Sequence, residues 1–129
     1  MNAALHNEWD LIDESVLTTL IDELHGRRDA VMRFAVSFAA DLPSRCKRMR
    51  TAFDSDEREA LFEVALSIRS SAQMVGARRL AKEARALHDA ARTASRSECA
   101  REVTAVEATA AATIPELERA VDRLRRPSA

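Results

Sequence analysis

The 129-residue chain is long enough for one domain with a real core. Its two glycines, three prolines and lack of tyrosine leave little material for turns or an aromatic-rich sheet. Against 21 acidic side chains stand 20 basic ones, so the formal net charge of -1 gives no bulk attraction to nucleic acid or an anionic membrane. No apolar run approaches the roughly 20 residues that span a bilayer. The opening MNAALHNEWD shows no basic-then-apolar signal pattern. Cys46 and Cys99 lack ligand-like spacing and any disulfide framework, as in a reducing compartment. The expectation is a soluble, cytoplasmic helical domain without cofactor or metal.

The helices follow in order. After Asp13, an N-cap residue type, Leu17, Leu20, Ile21 and Leu24 repeat at helical spacing, and Gly26 supplies a stop after His25. Val31, Ala35, Phe38, Leu42, Cys46, Met49 and Phe53 draw one continuous stripe for a second, longer helix. Pro43 inside it predicts a bend rather than a break. Asp54, Ser55, Asp56 and Glu57 mark a turn and the acid-rich start of a third helix, which runs to about Val75. Gly76 punctuates it, and Leu80, Ala84, Leu87 and Ala91 begin a fourth stripe. Ser95 and Glu98 have capping-box spacing and open the last segment. Its apolar side is Val103, Val106, Ala110, Leu117, Val121 and Leu124. Pro115 interrupts it, with Thr113 and Glu116 as a second capping box; the pattern fits either a kink or two helices. These elements predict an all-α fold, an antiparallel four-helix bundle with a short extra N-terminal helix. Residues 1–12 form a tail and 13–126 the bundle.

The stretch EVALSIRSSAQMVGARRL, residues 63–80, carries the functional signal. At about 100° per residue, Leu61, Val64, Ala65, Ile68, Ala72 and Val75 cluster on one side, which must face the bundle. Glu59, Glu63, Ser70 and Gln73 fall opposite, together with Leu66, and Phe62 and Arg69 flank them. A lone exposed leucine is ordinary. One turn from an exposed phenylalanine and beside a cation, it makes a small apolar patch with a charged rim, as at a partner site.

The run Ala65-Leu66-Ser67-Ile68-Arg69-Ser70-Ser71-Ala72, continuing to Gly76 and Ala77, resembles the signature of histidine phosphotransfer (HPt) domains, A-H-x-L-K-G-S-A-x-x-x-G-A. DESVLTTLIDEL, FAVSFAADLPSRCKRMRTAF with its mid-helix proline, and RRLAKEARALHDAAR are similar to the flanking helices of that family. The resemblance extends from about Leu11 to Leu124. It implies a four-helix bundle that carries phosphoryl groups between receiver domains in phosphorelays. The departures are as informative. Leu66 stands where the family has its phosphoacceptor histidine, and a hydrocarbon cannot form a phosphoramidate. Arg69 replaces a lysine, keeping the charge as a planar fork. Ser70 replaces the glycine that lets a partner approach closely. Ser71, Ala72 and Gly76 are the retained structural positions.

Other chemistries are poorly supplied. His6 lies in the tail, His25 at a helix end and His88 on a different helix from the motif. Ser67, Ser70 and Ser71 suit helix packing better than phosphorylation. There is no H-E-x-x-H and no glycine-rich phosphate loop. Arg45, Lys47, Arg48 and Arg50, like Arg123, Arg125 and Arg126, fit solvated helix ends and lack the interleaved aromatics of a base reader. The reading that follows is a non-enzymatic module that binds a response-regulator receiver domain through Phe62, Leu66, Arg69, Ser70 and Gln73 without carrying phosphate. Two alternatives stand beside it. One is a structural bundle whose patch is covered by Trp9, Leu11 and Ile12 or buried in a homodimer. The other is phosphotransfer through a noncanonical residue.

Overall fold

The computed structural model describes residues 11–126, so the expectations placed on His6 and Trp9 lie outside the described residues. Five helices follow one another: α1 (Glu14–Glu23), α2 (Arg28–Asp54), α3 (Arg58–Val75), α4 (Arg78–Ala90) and α5 (Arg96–Arg125). The four long helices form the expected bundle, with α1 packed on α2 and α3. α2 packs on α3 and α5, and α4 on α3 and α5, so α2, α3, α4 and α5 run in order around one core. Connections of a few residues force neighbours to run antiparallel. Contacts between opposite ends agree. Arg28 at the start of α2 donates to the Leu124 carbonyl at the end of α5, 2.7 Å away. Arg58 at the start of α3 donates to the carbonyls of Ala91 and Ala94, past the end of α4, at 3.2 and 2.7 Å.

The apolar stripes account for the core. Leu17 and Ile21 of α1, Val31, Ala35, Phe38, Leu42, Met49 and Phe53 of α2, and Val103, Val106, Ala110, Leu117 and Val121 of α5 are all buried. Leu80, Ala84 and Leu87 of α4 and Ala91 beyond it are fully enclosed. Leu24, the last residue of the first stripe, is exposed. No helix among the described residues is long and apolar enough to cross a membrane.

Helix ends follow the side chains that satisfy them. The Asp13 carboxylate accepts from the Ser15 N–H at 3.0 Å and opens α1. Asp56, in a left-handed conformation, turns the chain between α2 and α3. Ser95 Oγ accepts from the Glu98 N–H at 3.2 Å, the predicted capping contact of α5. The second predicted box does not form. α5 runs through Pro115 as one helix, so no start exists for Thr113 to cap. Thr113 is instead buried in mid-helix, and its hydroxyl donates to the Thr109 carbonyl at 2.7 Å. α2 likewise continues through Pro43. Both prolines stand on exposed sides of long helices, where packing of the turns before and after outweighs one missing backbone bond.

The basic cluster of α2 is not simply solvated. Arg45 donates from Nε to Asp41 at 2.7 Å and from its terminal nitrogen to the Ser67 carbonyl and Ser71 Oγ, at 3.3 and 3.0 Å. Arg50 forms a fork on Glu107 of α5 at 2.9 and 2.6 Å. Lys47 and Arg48 remain exposed.

Candidate functional site

α3 presents the predicted division of faces. Leu61, Val64, Ala65, Ile68, Ala72 and Val75 are buried, and Glu59, Glu63, Leu66, Ser70 and Gln73 are exposed. Leu66 keeps 40 % of its surface in solvent, with the exposed polar side chains Glu63 and Ser70 one turn before and after it.

The end of α3 is fixed by Gly76. Its φ of +77° lies in the left-handed region, and the Ala77 N–H reaches back to the Ala72 carbonyl at 2.9 Å. The Gly76 carbonyl accepts from the Asp13 N–H at 2.8 Å, which ties the entry to α1 against the exit of α3. A Cβ on Gly76 would stand 2.4 Å from the Asp13 carbonyl oxygen. Glycine is therefore required twice over here, by backbone conformation and by close approach. Ala72 is fully enclosed, and Ser71 accepts the Arg45 contact that couples α2 to α3. These positions hold the helix that displays Leu66.

Phe62 departs from its predicted surroundings. It is half-buried, with the Arg92 guanidinium 3.6 Å from its ring centroid and the His88 ring 4.2 Å away. Arg92 is itself held by a fork on Glu59, at 3.0 and 2.7 Å, which lowers the Glu59 carboxyl below its ordinary value. Phe62 is thus already covered from within the bundle. The second exposed apolar side chain on α3 is Met74, with half of its surface in solvent. Leu66, Ser70 and Met74 follow one another at i, i+4 and i+8, a ridge along the helix. Met74 carries no polar or charged signal of its own in the sequence. Only its position two turns after Leu66 could have marked it.

Arg69 is half-buried beside Leu66. Among the described residues it is the one arginine of α3 and α4 without a carboxylate partner. Arg58 stands 3.5 Å from Asp56, Arg78 3.6 Å from Asp13, Arg79 3.5 Å from Glu83 and Arg85 4.0 Å from Asp89. Beyond Gln73 the face opens into a groove of about 330 Å³ with Arg78, Lys82 and Arg85 on its α4 side.

Among the described residues no histidine or cysteine lies on this exposed face, whose hydroxyl is that of Ser70. His88, although on α4, is brought against Phe62, and its buried Nδ1 makes no hydrogen bond and lies 3.5 Å from an Asp89 oxygen. His25 lies at the far end of α1, in the turn to α2. Burial, with Glu107 nearby, pushes the Cys46 thiol up from its ordinary value of 9.0. Cys99 is buried and donates to the Ala90 carbonyl at 3.5 Å. Among the described residues no group of three or more His, Cys, Asp or Glu side chains is placed to hold a metal.

Against models of known families, residues 33–127 match the Hpt domain. The chain belongs to the HPt family. The match covers most of the chain and includes α3 with the whole signature. Comparison with curated proteins and with solved structures returns no match. HPt domains are phosphorelay modules that carry phosphoryl groups rather than catalyse reactions, and as a family they interact with receiver domains of response regulators. Within the matched span α3 is complete and carries Leu66 on its exposed face.

Proposed function

We propose that this HPt chain docks the receiver domain of a response regulator through the exposed face of α3 and does not carry phosphate itself. The supporting observation is Leu66, 40 % exposed at the signature's histidine position on an otherwise ordinary helix of a well-packed bundle. It offers no lone pair to a phosphoryl group. Full burial of a leucine contributes about 1.5–3 kcal/mol, so covering the part of Leu66 still exposed is worth about 1 kcal/mol. Met74, half exposed, supplies a second anchor of similar size, and Arg69 a charge at the rim. Phe62 contributes from behind, by holding Arg92 and His88 in place, rather than as a contact.

The test uses purified receiver domains from the source cell, titrated against wild type and Leu66→Asp after circular dichroism shows both to be equally helical. Binding by wild type and its loss in Leu66→Asp supports the docking module. If no receiver binds, or both proteins bind equally, the bundle has a structural role and the α3 face is not its working surface. A gain-of-function variant tests the chemistry separately. Leu66→His mixed with a phosphorylated receiver is expected to acquire acid-labile phosphate, whereas wild type acquires none.

A further inference from the structure

The groove past Gln73 lies where the chain enters the bundle. Val16 of α1 and Ala81 of α4 give it apolar surface, and Arg78, Lys82 and Arg85 give it three cations. Among the described residues no carboxylate lines it. Arg78 and Arg85 are exposed, and their nearest carboxylates, Asp13 at 3.6 Å and Asp89 at 4.0 Å, are too distant for hydrogen bonds.

Residues 1–10 join the described chain beside this groove. Leu11 and Ile12 are half-buried, and the Asp13 N–H donates at 2.8 Å to the carbonyl of Gly76, itself a lining residue. Covalent length sets the reach: at no more than about 3.6 Å per residue, Asp10, Trp9 and Glu8 can extend about 11 to 18 Å from Asp13. The stretch from Arg78 to Arg85 occupies only about 10 Å of α4. The chemistry is complementary as well. Residues 1–10 carry two carboxylates, Glu8 and Asp10, and no lysine or arginine, and Trp9 stands between the two. An indole flanked by carboxylates suits a groove of apolar surface and cations, through burial, cation–π contact and charge-assisted hydrogen bonds.

We infer that the segment Glu8-Trp9-Asp10 seats in this groove of its own chain, with Trp9 against Val16 and Ala81 and the two carboxylates on Arg78, Lys82 and Arg85. The groove includes Gln73, and Met74 follows it on α3, so the seated segment covers the C-terminal end of the face proposed to meet a receiver. That covering role rests on the docking reading above. The seating does not.

The experiment uses the full chain, in which Trp9 is the single tryptophan and tyrosine is absent, so its indole emission reports on this segment alone. Wild type is expected to emit at shorter wavelength than a peptide of residues 1–12 and to be quenched severalfold less by acrylamide, independently of protein concentration. Arg85→Glu, a change at an exposed side chain, should move both readings toward the peptide, and adding Asp10→Lys should restore them. Emission and quenching of wild type equal to the peptide's overturn the inference. Protection that survives both Arg85→Glu and Lys82→Glu overturns it too, because another surface then holds Trp9. Protection lost on dilution places the segment on a second copy and overturns the seat within one chain. The covering role has its own readout: Glu8→Gln with Asp10→Asn should bind a receiver severalfold more tightly than wild type. Equal affinity overturns the covering and leaves the seat; absence of any receiver binding removes the docking reading and the covering together, while the fluorescence still decides the seat.

Discussion

At the scale of single residues, two left-handed glycines separate backbone preference from close approach. Gly26 has φ +79° and nothing within 4 Å of the place a Cβ would take, whereas Gly76 has φ +77° and the Asp13 carbonyl oxygen 2.4 Å from that place. A non-glycine residue in this region costs about 1–2 kcal/mol from conformation alone. Gly26→Ala should show that cost in urea denaturation, and Gly76→Ala clearly more, because the α1 entry must also shift. Equal losses would show that the contact with Asp13 gives way freely. Phe62 and Met74 form a second contrast. Phe62 packs under Arg92 and against His88, so Phe62→Ala should destabilise the fold by about 1–3 kcal/mol. Met74 is half exposed, so Met74→Ala should stay within about 0.5 kcal/mol in stability and weaken receiver binding instead. A Met74→Ala protein that binds receivers as wild type does would remove Met74 from the docking ridge.

At the scale of helices, most of the architecture was legible because the stripes are long and regular. Leu61, Val64, Ala65, Ile68, Ala72 and Val75 could be placed on the buried side of α3 from their spacing alone, and Leu66 on the opposite, exposed side from the same pattern. Contacts between helices were not legible. Arg45 and Arg50 have the spacing of a solvated basic run, but which carbonyl or carboxylate each meets depends on how α2 lies against α3 and α5. The same holds for Phe62, whose cover comes from His88 of α4 and from Arg92, two residues beyond it. Thr113 followed a sound local rule, yet capping applies only at a helix start, and packing carries α5 through Pro115 without one.

The fork of Arg50 on Glu107 joins α2 to α5 and gives the molecule an acid-sensitive contact. The hydrogen bond from Arg50 is the first cause that holds the Glu107 carboxyl below its ordinary value of 4.5. A carboxyl depressed in the folded state stabilises the fold above its unfolded value, and that contribution disappears as pH falls through the depressed one. Both partners are partly exposed, so the contact is worth at most about 1 kcal/mol. Glu107→Gln should therefore have a lower urea midpoint than wild type at pH 7. The two midpoints should converge as the pH drops below 4.5. A gap that persists at low pH would assign the effect to packing rather than charge.

At the scale of the whole molecule, the chain builds the bundle of its family, and the proposal that it carries no phosphate rests on Leu66. The retained features are structural: Ala72 in the core, Ser71 accepting from Arg45, and Gly76 against Asp13. The altered ones, Leu66, Arg69 and Ser70, all lie on one exposed or half-exposed face. Departures from the signature on that face, over an intact core, support the proposed binding module.

The most direct measurement of that claim is the affinity of the purified chain for receiver domains of the source cell, compared between wild type and an equally helical Leu66→Asp. The account predicts that wild type binds at least one receiver and that Leu66→Asp loses about tenfold or more, the equivalent of about 1.4 kcal/mol. Receivers bound with the same affinity by both proteins would contradict it, since the face that carries Leu66 would then have no part in the contact.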